Sequence, residues 1–341
     1  MIYRSRAPLR IGLAGGGTDV SPYADEFGGA ILNVTISHYA HASIEIIPEK
    51  KLIFQTLDRN EQQEFDWQKK LPVNGTLDLL KGVYNRIQKD YGIAETGFRL
   101  STYVDAPAGS GLGTSSTLVV SIIGAFAEML KLPLGEYDIA QYAYEIERKD
   151  LLLAGGRQDQ YAATFGGVNF MEFYKDDKVI VNPLRIRQEY LYELENNLVL
   201  YFTSTSRESA AIIKEQQKNV SSKNEKSIEA MHQLKEQAKM MKEALLKGRL
   251  NEIGEILDYG FQQKRNMAHN ISNSMIEGIY DAVKKSGATG GKISGAGGGG
   301  FMIFYCPGNT RYKVMDTLNN FGGQVKPYRF TKEGLRSWNI Q

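Results

Sequence analysis

Residues 107–116 read PAGSGLGTSS, in which three alternating glycines are followed by three consecutive hydroxyl side chains. A strand is predicted before this run, over 97–104, and an apolar helix after it, over 115–131. The first turn of a helix presents unpaired backbone N–H groups and the positive end of the helix dipole. Glycines in front of that turn let the main chain approach an anion closely and form a concave nest of N–H groups. The run therefore predicts a polyphosphate site at the start of the helix.

Other interpretations of the glycine-rich runs fit less well. An ordinary strand-to-helix turn needs one capping hydroxyl and one glycine rather than three of each. The residues around Gly291-Lys292 do not have the spacing of a Walker A loop. The run GAGGGG, residues 295–300, satisfies G-x-G-x-x-G, but residues 301–305 are predicted to form a strand where a dinucleotide-binding fold needs a helix. A nicotinamide-dependent oxidoreductase is therefore a remote alternative.

The composition limits the classes of partner. The chain has 341 residues with 41 basic and 39 acidic side chains, a net charge of +2, so we expect no nucleic-acid partner and no polybasic membrane contact. The one cysteine, Cys306, cannot form an intrachain disulfide or a multi-cysteine metal cluster. No apolar run has the length of a signal peptide or a membrane span. We expect a cytoplasmic protein and leave a homodimer open.

The order of predicted elements indicates two domains of the α+β class. The length exceeds what one hydrophobic core usually fills, and strands and helices mix irregularly in both halves. The predicted strands are 2–14, 30–48, 51–57, 62–67, 97–104, 166–173, 178–181, 197–203, 289–294, 301–305 and 323–329. The predicted helices are 77–91, 115–131, 136–153, 207–247, 250–265, 272–285 and 310–320.

Three glycine-rich motifs, in this order along the chain, resemble those of the GHMP kinases, the superfamily of galactokinase and the homoserine, mevalonate and phosphomevalonate kinases. They lie at 7–19, 107–116 and 292–301. The resemblance implies a GHMP kinase fold with two domains. Residues 1–185 would form an N-terminal domain like the second domain of ribosomal protein S5, and residues 186–341 a C-terminal ferredoxin-like domain.

The resemblance also assigns roles to individual residues. Asp159 would be the general base for an acceptor hydroxyl, and Arg10 a fixed cation that favours the ionised carboxylate. Glu147 would bind Mg²⁺ with Ser116, or with Ser115. From the residues alone, Asp159 also fits a helix cap and Glu147 a salt-bridged side chain. The residues that would bind ATP are Pro107, Gly109, Ser110, Gly111, Leu112, Gly113, Thr114, Ser115 and Ser116.

The acceptor would be held by the first and third motifs. Galactokinase-like members carry Glu-His where this chain has Gly16-Gly17, which implies a sugar other than galactose. A phosphorylated sugar would also need cations, and Arg6, Arg157, Lys264, Arg265 and Lys292 are unranked candidates. The residues that would bind the substrate are Gly16, Gly17, Thr18, Asp19, Arg157, Gly295 and Gly297.

Within the superfamily, residues 5–23 (SRAPLRIGLAGGGTDVSPY) and 155–167 (GGRQDQYAATFGG) most resemble kinases that act on D-glycero-D-manno-heptose 7-phosphate. The resemblance implies transfer from ATP, with Mg²⁺, to the anomeric hydroxyl, which yields the 1,7-bisphosphate. A fucokinase-like enzyme acting on a free sugar is the nearer alternative. A non-catalytic sugar and nucleotide sensor is the other, and the presence of Asp159, Glu147 and Ser116 disfavours it.

Overall fold

The structure is a computed structural model that describes residues 1–205 and 209–341. It contains a large mixed sheet of eight strands and a smaller antiparallel sheet of four, each covered by helices. The predicted α+β class is confirmed. None of the described helices is both long enough and apolar enough to cross a lipid bilayer.

The first half of the chain builds most of the large sheet. Its elements are β1 (Ile2–Ala14), α1 (Tyr23–Phe27), β2 (Gly29–Ile46), β3 (Lys51–Thr56), β4 (Glu61–Asp66), α2 (Asp78–Asp90), β5 (Phe98–Val104), α3 (Thr114–Leu130), α4 (Glu136–Glu145), α5 (Gln158–Phe165), β6 (Val168–Phe173) and β7 (Val179–Pro183).

The large sheet is organised around the long antiparallel pair β1 and β2. Its main path has the order β12-β1-β2-β5-β3-β4, where β12 is the last strand of the chain, Arg336–Ile340, and β6 and β7 extend from the first half of β2. Most apolar side chains of α3 pack on this sheet, and Ile122 and Phe126 among them are fully buried. Burial of each such side chain is worth about 1.5–3 kcal/mol. This packing fixes where α3, and hence its N-terminus, stands relative to β1.

The second half builds the small sheet. Its elements are α6 (Gln188–Asn197), β8 (Leu198–Phe202), α7 (Ser209–Ser221), α8 (Glu225–Lys247), α9 (Ile253–Lys264), α10 (Ser274–Lys285), β9 (Gly290–Ile293), β10 (Phe301–Tyr305), α11 (Arg311–Leu318) and β11 (Gln324–Val325). The sheet order is β11-β8-β10-β9. Helices α7–α10 connect β8 to β9, a glycine-rich loop joins β9 to β10, and α11 connects β10 to β11. This connectivity with this sheet order is the ferredoxin-like arrangement implied above.

Three predicted elements differ from the observed ones. The helix predicted over 207–247 is two helices, because Lys223 has a left-handed φ of 57° and the Asn224 side chain caps α8; the predicted start, residues 207–208, lies outside the described residues. The helix predicted over 136–153 ends as a π-helical turn at Ile146–Asp150. The strand predicted over 323–329 shrinks to β11.

The last strand was not predicted from the sequence. All five residues of β12 are solvent-exposed, so the strand buries no apolar face of its own, and it is held by main-chain pairing with β1. This pairing returns the C-terminus to the large sheet. The boundary near residue 185 stays a prediction, and the return of β12 means that the two halves are joined by more than one crossing of the chain.

Candidate active site

A cavity of about 580 Å³ lies where loops of the two sheets meet. The end of β1, the start of α3, the segment before α5, and helices α7 and α9 all contribute to its wall. Each of the three glycine-rich motifs reaches it, through Gly17, Gly111 and Gly295. The fold thus brings together motifs that are far apart in the sequence, as the resemblance implies.

The predicted phosphate loop forms one side of this cavity. Helix α3 begins at Thr114, and no side chain caps this helix, which lies wholly within the described residues. Its first N–H groups therefore remain available to an anion. Ser110 and Leu112 are buried behind the loop and Pro107 lies outside the cavity wall. The predicted residues that line the cavity are Gly109, Gly111, Gly113, Thr114, Ser115 and Ser116.

The phosphate loop and the third motif are in direct contact. Gly111 has a φ of 87°, and a Cβ on it would stand 2.7 Å from the carbonyl oxygen of Ser294. A Cβ on Gly295 would stand 2.6 Å from Cα of Gly111. The Ser294 hydroxyl donates to the Gly111 carbonyl at 2.8 Å. Only glycine at both positions permits this approach, which joins the second motif to the third.

Asp159 and Arg10 form an ion pair at the cavity wall. Asp159 lies in the first turn of α5, and Arg10, on β1, is 3% exposed. Arg10 Nε donates to Asp159 Oδ1 at 2.8 Å, and Nη1 donates to the Gly111 carbonyl at 2.6 Å. Within the described part of the chain, no donor contacts Oδ2 of Asp159. The pair leaves one carboxylate oxygen able to accept a proton beside the phosphate loop.

Asp19 supports the segment that carries Asp159. Its Oδ2 accepts the backbone N–H groups of Arg157 and Gln158, at 2.8 and 3.0 Å. A Cβ on Gly156 would stand 1.9 Å from the same oxygen, so this approach requires glycine. Burial raises the pKa of Asp19. The negative charge of Asp159 raises it further, whereas the hydrogen bonds from the backbone lower it without cancelling the increase. Asp19 therefore fixes the start of α5 while it also lines the cavity.

Other predicted substrate residues are placed away from the cavity. The Thr18 hydroxyl is fully buried and donates to the carbonyls of Gly15 and Ala30, each at 2.9 Å, so it holds the turn of the first motif. Arg157 is 2% exposed and pairs with Asp25 at 2.6 Å. Gly16 and Gly297 support loops without lining the cavity, whereas Gly17 and Gly295 do line it.

A carboxylate and two hydroxyls meet at the start of α3. Glu147, 1% exposed in the π-helical turn, accepts from the Ser115 hydroxyl at 3.2 Å. Gln160 was missed by the sequence analysis. Its Nε2 donates to Glu147 Oε2 at 2.5 Å and to Ser116 Oγ at 3.1 Å. The sequence feature that could have identified Gln160 is a polar side chain at one of the buried positions of α5, QDQYAATF.

Two buried lysines lie at and behind the cavity wall. Lys264 lines the cavity at the end of α9, and its Nζ donates to the Gly295 carbonyl. Lys292 lies behind it and donates to the Gly12 carbonyl at 2.9 Å. Burial lowers the pKa of Lys264 to about 8, with a further contribution from Arg10. Burial, and next Lys264, lower the pKa of Lys292 well below its usual range. The sequence could have ranked Lys264, because the helical spacing of Leu257, Gly260 and Phe261 puts it on the buried face of α9.

The Lys264→Met variant is expected to be more stable than the parent protein at pH 7 and less active. In the folded state the lysine pKa is lowered to about 8, so the parent carries an unfavourable buried charge below that pH. The penalty disappears as the pH rises from about 8 towards the unfolded pKa of about 10.4. Thermal unfolding measured between pH 7 and about pH 10.4 should show that the difference in stability between the variant and the parent becomes smaller as the pH rises. The exposed Lys285→Met on α10 is the control and should show no such trend; a Lys264→Met protein less stable at every pH would contradict the prediction.

Two regions of the chain match known protein families. Residues 78–167 match the GHMP kinases N terminal domain, and residues 241–324 match the GHMP kinases C terminal. The first match contains α3 and Asp159, and the second contains Lys264 and the third glycine-rich motif. Each matched region thus contributes part of the cavity wall.

Individual relatives agree with these matches. The chain is 49% identical, over 99% of both chains, to D-glycero-alpha-D-manno-heptose 7-phosphate kinase of Campylobacter jejuni. A crystal structure of a D-glycero-D-manno-heptose 1-phosphate kinase from Bacteroides thetaiotaomicron superposes with a TM-score of 0.85 at 44% identity, over 99% of both chains. Mevalonate kinase of Methanococcus jannaschii shares the fold, with a TM-score of 0.77 at 20% identity over 97% of this chain and 98% of that one. The chain therefore belongs to the GHMP kinases, as the order of its three motifs predicted.

Proposed function

We propose that this protein transfers the γ-phosphoryl group of ATP to the anomeric hydroxyl of D-glycero-D-manno-heptose 7-phosphate and releases ADP and the 1,7-bisphosphate. The observation that carries the proposal is the Arg10–Asp159 pair beside the uncapped N-terminus of α3 in one cavity. The acceptor is supported by the name of the 49% identical relative. Membership of a kinase family and the retention of Asp159 and Glu147 favour an enzyme over the non-catalytic sensor.

The geometry suggests how the chain's own residues act. The N–H groups at the start of α3 would hold the ATP phosphates. Oδ2 of Asp159 would accept the proton of the sugar hydroxyl. As it does so, the sugar oxygen would bond to the γ-phosphorus of ATP, and the bond between the γ-phosphorus and the oxygen of the β-phosphate would break, which releases ADP. Arg10 would keep Asp159 in place through Oδ1 and offset negative charge on the transferring group. Most of the rate enhancement would come from positioning and electrostatics.

Mg²⁺ fits the polar cluster at α3. The Glu147 carboxylate and the hydroxyls of Ser115 and Ser116 are hard oxygen donors, and Glu147 is buried with its nearest cation, Arg148, 3.6 Å away. The described residues contain no group of three or more His, Cys, Asp or Glu side chains placed to hold a metal. This suits Mg²⁺, which binds through one or two carboxylates and takes its other ligands from substrate phosphates and water. When bound it would neutralise charge on the phosphate oxygens.

The Glu147→Gln variant is expected to need at least about tenfold more Mg²⁺ for half-maximal turnover, since loss even of an outer-shell partner of a metal site typically costs about 10–100-fold in metal affinity. An amide keeps a hydrogen-bond acceptor for Gln160, so the fold should persist. A Mg²⁺ titration of the ADP-release rate at saturating ATP measures the effect. Glu136→Gln, at the exposed start of α4, is the matched control. An unchanged Mg²⁺ requirement would remove Glu147 from the metal site.

The acceptor can be tested directly. With ATP and Mg²⁺, ADP release should occur with the heptose 7-phosphate and be much slower with free L-fucose, the substrate class of the fucokinase alternative. The two relatives' names place the phosphate differently, at position 7 in one and position 1 in the other, so heptose 1-phosphate is a third arm. Phosphorus NMR of the product should show a new anomeric phosphate. Turnover of fucose or of the 1-phosphate alone would overturn the proposed acceptor.

We also propose that the enzyme works in the cytoplasm without a nucleic-acid partner. The near-balanced charge supports the absence of a nucleic-acid partner, and the presence of a single cysteine, Cys306, suits a reducing compartment. A homodimer stays open, and sedimentation of the purified protein would decide it.

A further inference from the structure

A second cavity, of about 250 Å³, lies directly beside the first. The two share part of their walls, and Ser21 and Tyr144 line the second cavity only. Lys214, on α7, closes its other side. The shared wall residues are Asp19, Arg148, Leu153, Ala154 and Gly155.

The wall of the second cavity carries more positive than negative charge. Three cations line it: Arg148, Arg157 and Lys214. The one acid in the lining is Asp19, whose Oδ2 is already taken up by two backbone N–H groups. Such a concave, cation-lined space is suited to a small anion, and a guanidinium is a preferred partner of phosphate.

Two of the cations have unused donor capacity. Nε of Arg148 and Nε of Arg157 are both buried without a hydrogen-bond partner among the described residues. Arg148 otherwise contacts the carbonyls of Gly156 and Leu153, at 3.2 and 3.5 Å, and the Glu147 carboxylate at 3.6 Å. Buried donors are normally satisfied, so these two incompletely satisfied guanidinium groups, on side chains that line the cavity, favour an anion as its occupant.

Asp19 links this space to the point of phosphoryl transfer. Its carboxylate binds the N–H groups of the two residues before Asp159, and it lines both cavities. An acceptor with its reacting hydroxyl at Asp159 would extend past Asp19 into the second cavity. We infer that this cavity is the subsite for the phosphate monoester at the far end of the acceptor sugar, with Arg148 and Lys214 as its contacts. The inference rests on the proposed function.

The alternative ligand of the second cavity is a phosphate of the nucleotide. Arg148 could contact such a phosphate, because it follows Glu147 in the chain and also lines the first cavity. Lys214 separates the two possibilities, since it lines the second cavity and does not line the first. Lys214 is also exposed, so its removal should leave the fold intact. Arg157 is a poorer probe, because it holds Asp25, Ser21 and the Tyr174 carbonyl.

The test measures binding by calorimetry for the parent protein, Lys214→Ala and Arg148→Ala. The probes are D-glycero-D-manno-heptose 7-phosphate, the same heptose without its phosphate, and a non-hydrolysable ATP analogue. Loss of one charged contact should weaken binding of the sugar phosphate by roughly tenfold or more. The Kd for the ATP analogue and the Kd for the free heptose should each change less than about twofold. Lys218→Ala, one turn further along α7, is the matched control.

Each other result has a defined meaning. Equal losses for the sugar phosphate and the free heptose, or a loss for the ATP analogue with Lys214→Ala, would overturn the inference. Unchanged binding of the sugar phosphate by both variants would overturn it as well. If the parent protein does not bind the sugar phosphate, the proposed function fails first. Turnover of that substrate by the parent, with variants that bind it normally, would refute the subsite and leave the function intact.

Discussion

Asp159→Asn is expected to lower kcat by roughly 10²–10⁴-fold, the usual contribution of a general base. The amide has nearly the same shape, so it can still accept from Arg10 through its oxygen, but it cannot take the proton of the sugar hydroxyl. Binding of ATP to the N-terminus of α3 should be little changed, because Asp159 does not contact that helix's free N–H groups in the described structure. Turnover by ADP release and ATP binding by calorimetry measure the two effects.

The matched control for this substitution is Asp66→Asn, on the exposed edge strand β4. It removes one carboxylate far from the cavity and should leave kcat unchanged. Asp159→Asn with near-normal kcat would refute the base assignment. A loss of ATP binding as large as the loss of kcat would instead make Asp159 part of the nucleotide site.

Arg10→Met is expected to lower kcat by roughly 10²–10³-fold, the effect of removing one preorganised charge-stabilising donor. In the parent, one guanidinium spans the Asp159 carboxylate and the Gly111 carbonyl. Methionine fills similar space but leaves both acceptors without this donor. Steady-state kinetics measure the loss, and thermal unfolding shows whether the variant folds. Because the Asp159 side chain is 24% exposed, water can solvate it, so we expect only a modest loss of stability.

Arg10→Lys tests whether charge alone is sufficient. Lysine keeps the positive charge but lacks the planar fork that reaches two acceptors at once. Its kcat should lie between those of the parent and Arg10→Met. Parent-like activity of Arg10→Met would contradict a role for this cation in the transfer step. Equal kcat for the lysine and parent proteins would show that the bond to Gly111 is dispensable.

Local pattern was enough for most of the fold. The apolar periodicity of α2 and α3 and the alternation in β2 are short-range signals, and those elements appear within a few residues of their predicted bounds. Helices α1, α5 and α6 were not predicted. Two other errors occur where a short-range signal competes with a single capping group or a long-range pair. Asn224 divides the polar helix predicted over 207–247, and β12 is held by pairing with β1 at the other end of the chain.

The candidate site was predictable where a motif carries its own geometry. The phosphate loop lies at the start of α3 because glycines followed by hydroxyls encode a strand-to-helix turn. Side-chain direction was not predictable in the same way. Thr18 and Arg157 belong to the quoted motifs, yet their polar groups are used to hold a turn and Asp25. Gln160 lies within the quoted run 155–167 without being singled out by it, and Lys264 lies outside the motifs. Tertiary packing brings Lys264 to the cavity wall and Gln160 to Glu147 and Ser116.

The sequence by itself determined the family and the fold class, and it predicts a polyphosphate site at the glycine-rich loop, because these depend on residue type and on spacing along the chain. Only the tertiary structure decided which charged side chains lie close to one another. It brings Arg10 to Asp159 and Lys264 to Gly295, and it places three cations around the second cavity. The strength of an electrostatic contact depends on distance and burial, and neither is a property of one segment of chain.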